Sequence, residues 1–132
     1  MYNLFLDDVR RPKEAFLYGE GKMLCEYSGV PNGCWEIVRN YDDFVKILNE
    51  KGLPRAISFD CDLAKEHVQH YMSESLITGV YEWENFQNKC GIHCAKYLKS
   101  ILSDKDDVRI FIHSANELGR GIIKNILSQW IF

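Results

Sequence analysis

Asp7 and Asp8 stand side by side at the end of the apolar run NLFL, and Asp60 and Asp62 flank Cys61 at the end of the run AISF. Carboxylates gathered in this way repel one another. Two unit charges about 4 Å apart cost roughly 4 kcal/mol at an effective dielectric near 20, so protons or a cation must offset them. An all-oxygen donor set suits a hard divalent ion, Mg2+ or else Mn2+, which takes one or two carboxylates and keeps positions for water or phosphate. On this reading Asp7, Asp8, Asp60 and Asp62 are metal ligands. The alternative is that they are solvated strand-end carboxylates.

Other residue types nearby suit phosphate chemistry. Arg10 carries a guanidinium that can fork onto phosphate oxygens. His113 follows an apolar run and is either a satisfied core histidine or a proton shuttle near neutral pH. Ser114 and Asn116 precede a helical pattern, where they can cap the helix and present donors to an anion. His113 and Ser114 are therefore candidate catalytic residues, and Arg10, Ser114 and Asn116 are candidate phosphate-binding residues.

These residues need elements to bring them together. Residues 3–6 read as a buried strand, 34–39 as a second, 55–59 as a third and 107–114 as a fourth. Residues 13–33 have no clear period and are punctuated by glycines. Tyr41, Phe44, Val45, Ile47 and Leu48 fall at helical spacing, with Asn40 or Asp42 as a cap and Gly52 and Pro54 as the stop. Helical patterns recur from Gly91 and over 116–130. Residues 62–89 read as a long polar and aromatic excursion, of the kind that often carries function. Its Tyr71, Tyr81, Trp83 and Phe86 are read as loop anchors, with stacking on a base as the alternative. Strands alternating with helices predict a parallel sheet, whose ligands bind beyond the carboxyl ends of the strands. That edge is where the acidic clusters and His113-Ser114 would gather.

A chain of 132 residues with 46% hydrophobic and 27% charged content suits one domain, 1–132, with a real core. A net charge of −3 offers no general basic field, so duplex DNA binding is not expected. The absence of a signal-like start or a membrane-length apolar run points to a cytoplasmic protein without a membrane partner. Five cysteines (25, 34, 61, 90 and 94) fit reduced thiols. The cluster CGIHC lacks the second pair of ligands that a zinc site needs, and Cys90 and Cys94 read as packing residues at a helix start.

Four segments resemble, in chain order, the cyclic-phosphate processing receiver domains, a divergent branch of the response-regulator receivers. FLDDVRRP is similar to the family's LDDxRxP opening, ISFDCDLA to ISxDHDLG, CGIHCAKYL to TGxDxAKWL, and IFIHSANELG to VHSxNxxG. The resemblance implies a three-layer, receiver-like (flavodoxin-like) parallel α/β sheet truncated to about four strands. It also implies a divalent-metal site and phosphoesterase action on a cyclic phosphate, either a cyclic nucleotide or the 2′,3′-cyclic end of an RNA. Cys61, Ala64, Cys90 and His93 depart from the family pattern of His, Gly, Thr and Asp. The lysine that follows a receiver's fifth strand has no match, since Lys124 falls within the last helical pattern. Asp60 corresponds to the receiver phosphoacceptor and could attack phosphorus directly. A non-catalytic pseudo-receiver, switching a protein partner or binding a cyclic nucleotide, is the alternative.

Overall fold

Alternation along the strands decides which residues meet at the sheet edge. The computed structural model describes residues 2–12 and 35–131. Within them β1 (Asn3–Leu6), β2 (Trp35–Val38), β3 (Ala56–Phe59) and β4 (Arg109–Ile112) form one parallel sheet in the order β2-β1-β3-β4. This is the receiver-like α/β arrangement that the sequence predicts. The expectation for 13–33 and the residues Cys25 and Cys34 lie outside the described residues.

The helices are α1 (Tyr41–Lys51), α2 (Lys65–His70), α3 (Gly91–Ile101) and α4 (Glu117–Ile126). Capping follows the sequence. Asn40 accepts from the Asp43 N–H at 2.8 Å and Asn116 from the Gly119 N–H at 2.9 Å. Gly52, with φ of 78°, closes α1 in a conformation that favours glycine.

Strand side chains alternate between faces. Leu4, Leu6, Ile57, Phe59, Ile110 and Ile112 share one face and pack with Phe44 and Leu48 of α1, Ile92 and Leu98 of α3, and Ile123 of α4. Phe5, Trp35 and Phe111 form a smaller buried cluster on the other face. Of the three layers expected, the sheet and one helical layer fall within the described residues. Beyond α4, Ile131 makes an isolated parallel bridge to Ile110 on the outer side of β4.

One expectation needs correction. Residues 62–89 are not simply an extended loop. They hold α2, which runs on through a π-helical turn (Tyr71–Ser75) into a last helical turn (Leu76–Thr78), and a 3-10 turn at Trp83–Asn85. Only His67 of α2 is buried, so no apolar stripe marked the helix. The segment is pinned by side chains: His67 receives the Leu63 N–H at 2.9 Å and bonds the Asn88 carbonyl at 2.6 Å. Its ring stacks on Phe86 at 4.5 Å.

Candidate phosphate site at the carboxyl edge

Strand register places the first three site residues. Leu6 is paired with Phe59, and Phe59 with Ile112, so Asp7, Asp60 and His113 each lie one step beyond the last pair. The ladder continues through them. Asp7 N–H donates to Val38 O at 3.1 Å, Asp60 N–H to Leu6 O at 2.9 Å and His113 N–H to Phe59 O at 2.9 Å. By alternation all three side chains take the face of Phe5 and Ser58, and all three are buried.

The contacts follow from that placement. The His113 ring lies parallel to Phe5 at 4.4 Å. Its Nε2 is 3.0 Å from Asp7 Oδ2 and its Nδ1 is 2.7 Å from Ser58 Oγ. The imidazole therefore connects Ser58 to Asp7 within the protein interior. Asp7 Oδ1 accepts the N–H groups of Val9 (3.0 Å) and Arg10 (2.8 Å), which folds the following loop around the carboxylate. Arg39, just after β2, holds the same loop by donating to the carbonyls of Asp7 (3.1 Å) and Arg10 (2.6 Å).

Arg10 lies across two carboxylates. Its Nε is 3.0 Å from Asp7 Oδ2, and one terminal nitrogen is 3.4 Å from Asp60 Oδ2. Asp60 Oδ1 also accepts the Cys61 N–H at 2.8 Å. The two acids are thereby driven apart in acidity. Burial would raise the Asp7 pKa, but the bonds from His113, Arg10 N–H and Val9 N–H outweigh it and hold the pKa at about 2. Burial, and then the Asp7 charge, push Asp60 well above the usual carboxylate range, with Arg10 opposing. Asp8 is raised as well, by burial and by Asp7.

Asp62 is held differently. Its Oδ1 accepts from the Tyr81 hydroxyl and from Asn116 Nδ2, the latter at 3.1 Å. Asn116 thus caps α4 with its oxygen and fixes Asp62 with its nitrogen. Ser114 Oγ accepts the Asn116 N–H at 3.1 Å. Above these groups lies a cleft of about 330 Å3, whose walls include Arg10, Asp8, Asp60, Asp62, Ser114 and Asn116. The structure so gathers Asp8, Arg10, Asp60, Asp62, Ser114 and Asn116 on one cleft, and sets Asp7 and His113 in the support beneath.

The carboxylates of Asp8 and Asp60 line the cleft, and their oxygens are the donor type that a hard divalent cation would take. Ligand atoms of Asp7, Asp60 and His113 lie within 4.8 Å of one another. Asp60 and Asp8 are carboxylates whose charge is disfavoured as they stand, so a cation at their oxygens would relieve both. Arg10 already supplies part of that positive charge, and an ion would share Asp60 with it. No comparable grouping involves CGIHC among the described residues. There Cys90 caps α3, with His93 Nδ1 accepting the Cys90 N–H at 2.9 Å.

Sequence reasoning missed Ser58, Arg39 and Tyr81 as supports. Ser58 sits inside an apolar strand two residues before Asp60, and that spacing is the only sequence mark that it shares the acid's face. Arg39 and Tyr81 reach the site across the fold and carry no local signal. Of the four aromatics noted, Tyr81 is buried, Trp83 and Phe86 pack against the core, and Tyr71 borders the cleft.

A family model, the cyclic-phosphate processing receiver domain, matches residues 2–129. The chain belongs to the cyclic-phosphate processing receiver domains. No curated protein and no solved structure matches the chain significantly. The fold and the order of motifs in this receiver domain agree with the resemblance read from its four segments. No helix among its described residues is long and apolar enough to cross a membrane.

Proposed function

We propose that this receiver domain is a phosphoesterase that opens a cyclic phosphodiester at the carboxyl edge of its sheet, on a cyclic nucleotide or an RNA 2′,3′-cyclic end. The observation that carries the reading is Arg10, held across Asp7 and Asp60 at the floor of a cleft whose far wall is the Ser114–Asn116 start of α4. A guanidinium fixed between Asp7 and Asp60 sets a positive charge beside the cleft that attracts phosphate oxygens, and the Ser114 hydroxyl adds a polar group.

The reaction adds water to phosphorus and breaks one endocyclic P–O bond. The departing oxygen takes a proton, and a monoester results. Without a bound ion, Asp60 favours its protonated form and faces the cleft, so it gives that proton. Asp8, less buried, accepts the proton of water. Mg2+ or Mn2+ would be held by ionised Asp60 and Asp8 and would supply charge neutralisation and a more acidic water, and Asp60 would then serve as a ligand and not as the proton donor. Asp7 does not touch substrate: its oxygens are taken by Arg10, His113 and the loop, and it orients Arg10. His113, with both ring nitrogens engaged and no exposed surface, acts through Asp7 as a positioning residue. Asp62 fixes the start of α4 through Asn116.

The test is 31P NMR of the protein with Mg2+ or Mn2+ and 2′,3′-cyclic and 3′,5′-cyclic nucleotides, beside Asp60→Asn. A new monoester resonance that the variant fails to produce is the expected result. Binding without product would give the non-catalytic module its support, and full activity in Asp60→Asn would remove Asp60 from the chemistry.

A further inference from the structure

The cleft has two kinds of wall. Its floor is charged, but one flank is apolar and open. Val68 and Met72, one helical turn apart, are 45% and 61% exposed, and Val9 on the β1 loop is 71% exposed; all three line the cleft that holds Arg10 and Asp60. Exposed apolar side chains are unremarkable when scattered. Here three line one cleft beside its charged groups, where each would be better placed against an apolar surface.

The backbone supports the same place. The π-helical turn begins at Tyr71, beside Met72, and such widened turns recur at functional sites. Tyr71 ties this flank to the phosphate side. Its hydroxyl accepts the Glu117 N–H at 3.3 Å at the start of α4, and its ring meets edge-on that of Tyr81, the residue that holds Asp62. The apolar flank is therefore fixed relative to the polar floor, not a loose rim.

We infer that Val9, Val68 and Met72 seat the flat apolar face of a nucleobase, so that the ligand is a nucleoside cyclic phosphate and not the cyclic phosphate of a small polyol. This deepens the function proposed above and rests on it. The phosphate would lie at Arg10 and Ser114 and the base between Val9 and the Val68–Met72 ridge. A cleft of about 330 Å3 sits at the small end of ligand sites, roughly 300–1,000 Å3, which suits one nucleotide and not a run of them. Apolar seating reads ring area more than base edges, so purines bind more tightly than pyrimidines.

The shared chemistry is a base-bearing 2′,3′-cyclic phosphate, free or at the end of an RNA. The experiment compares 2′,3′-cyclic AMP, a short RNA with a 2′,3′-cyclic end, and 1-O-methylribose 2′,3′-cyclic phosphate, which lacks a base. Each is followed by 31P NMR for product and by titration for affinity, with wild type and the double variant Val68→Ser/Met72→Ser. Wild type is expected to prefer at least one base-bearing compound over the base-free one by tenfold or more in kcat/KM, or in Kd where binding occurs without turnover. The preferred compound identifies the free or RNA-borne source. In the variant the ratio should fall to within about threefold. Because the ratio is internal to each protein, partial loss of folded variant does not move it. Equal use of base-bearing and base-free compounds by wild type overturns the seat while leaving the phosphoesterase reading intact. A preference that survives the double substitution overturns the assignment to Val68 and Met72. No binding or turnover of any compound overturns both.

Discussion

Asp7 and Asp60 are adjacent carboxylates with opposite tendencies, and their titration should push stability in opposite directions. The Asp7 pKa is depressed to about 2. Its stabilisation is thus fully present above the unfolded value near 3.9 and is lost as pH falls toward 2. The depression amounts to an order of 2 kcal/mol. Denaturant midpoints between pH 5 and 2 should fall steeply for wild type and less so for Asp7→Asn, and parallel curves would refute this. Asp60 runs the other way. A carboxyl raised by burial favours the fold when protonated, so its stability is full below about pH 4 and declines as pH rises toward its folded value. Asp60→Asn, measured without divalent ions, should unfold at a higher temperature than wild type at pH 7 and with little difference at pH 4. The same variant should lose product formation by a hundredfold or more, the scale of a lost acid–base group. Stabilisation without loss of activity would mark Asp60 as a merely buried acid. His113→Gln tests the support beneath. A glutamine amide can donate to Asp7 or accept from Ser58 but does not reproduce the planar stack on Phe5, so a drop in activity with the alkaline limb set by Asp60 retained in the metal-free protein is expected.

At the scale of elements, the site depends on how closely α3 and α4 approach the end of β3. The Gly91 N–H donates to the Cys61 carbonyl at 2.7 Å, and a Cβ at Gly91 would come within 2.0 Å of the Asp60 carbonyl oxygen. A Cβ at Gly119 would meet Cys61 Sγ at 2.2 Å. Gly91→Ala must therefore push α3 off the backbone that carries Asp60. Overpacking of this kind costs roughly 1–3 kcal/mol, read as a lowered denaturant midpoint, and turnover should fall beyond what the lost stability explains. Gly91→Ala with an unchanged midpoint would show that the helix has room to move. The sequence made much of this legible. Acidic pairs after two apolar runs, and His-Ser after a third, predict a shared sheet edge, and parallel pairing with matched register supplies it. Asn40 and Asn116 announce their helices because capping is a local chemistry. What stayed hidden was non-local or weakly patterned. The helix at Lys65–His70 buries one side chain, so it has no amphipathic signature. Ser58 and Tyr81 became site supports through contacts 55 and 19 residues away in the chain. Arg10 sits between the acids through a loop geometry that no spacing encodes.

Over the whole molecule, charge poses the remaining question. The chain carries a formal charge of −3, and among the described residues Asp7, Asp8, Asp60 and Asp62 outnumber Arg10 in and beneath the cleft. A phosphate approaching this edge meets a field that repels it unless positive charge is added or Asp60 keeps its proton. Arg10 offsets only part of the acidic charge, and it is already engaged with Asp7. A divalent ion at Asp60 and Asp8 would resolve the conflict, by neutralising the two acids that burial disfavours and by presenting positive charge to the ligand. Such an ion would bind only the folded chain, because the carboxylates of Asp8 and Asp60 follow two different strands, β1 and β3. Mass action then requires it to stabilise the fold, by about 2.7 kcal/mol when its concentration is a hundredfold above Kd. Millimolar Mg2+ or Mn2+ should accordingly raise the unfolding temperature of wild type by several degrees, and the shift should vanish in Asp60→Asn. Cyclic phosphate affinity should rise with the same ion concentration dependence. If neither ion moves the unfolding temperature, and the ligand binds equally well in chelator, then Arg10 and a protonated Asp60 suffice, and affinity should instead weaken as pH rises through the Asp60 transition.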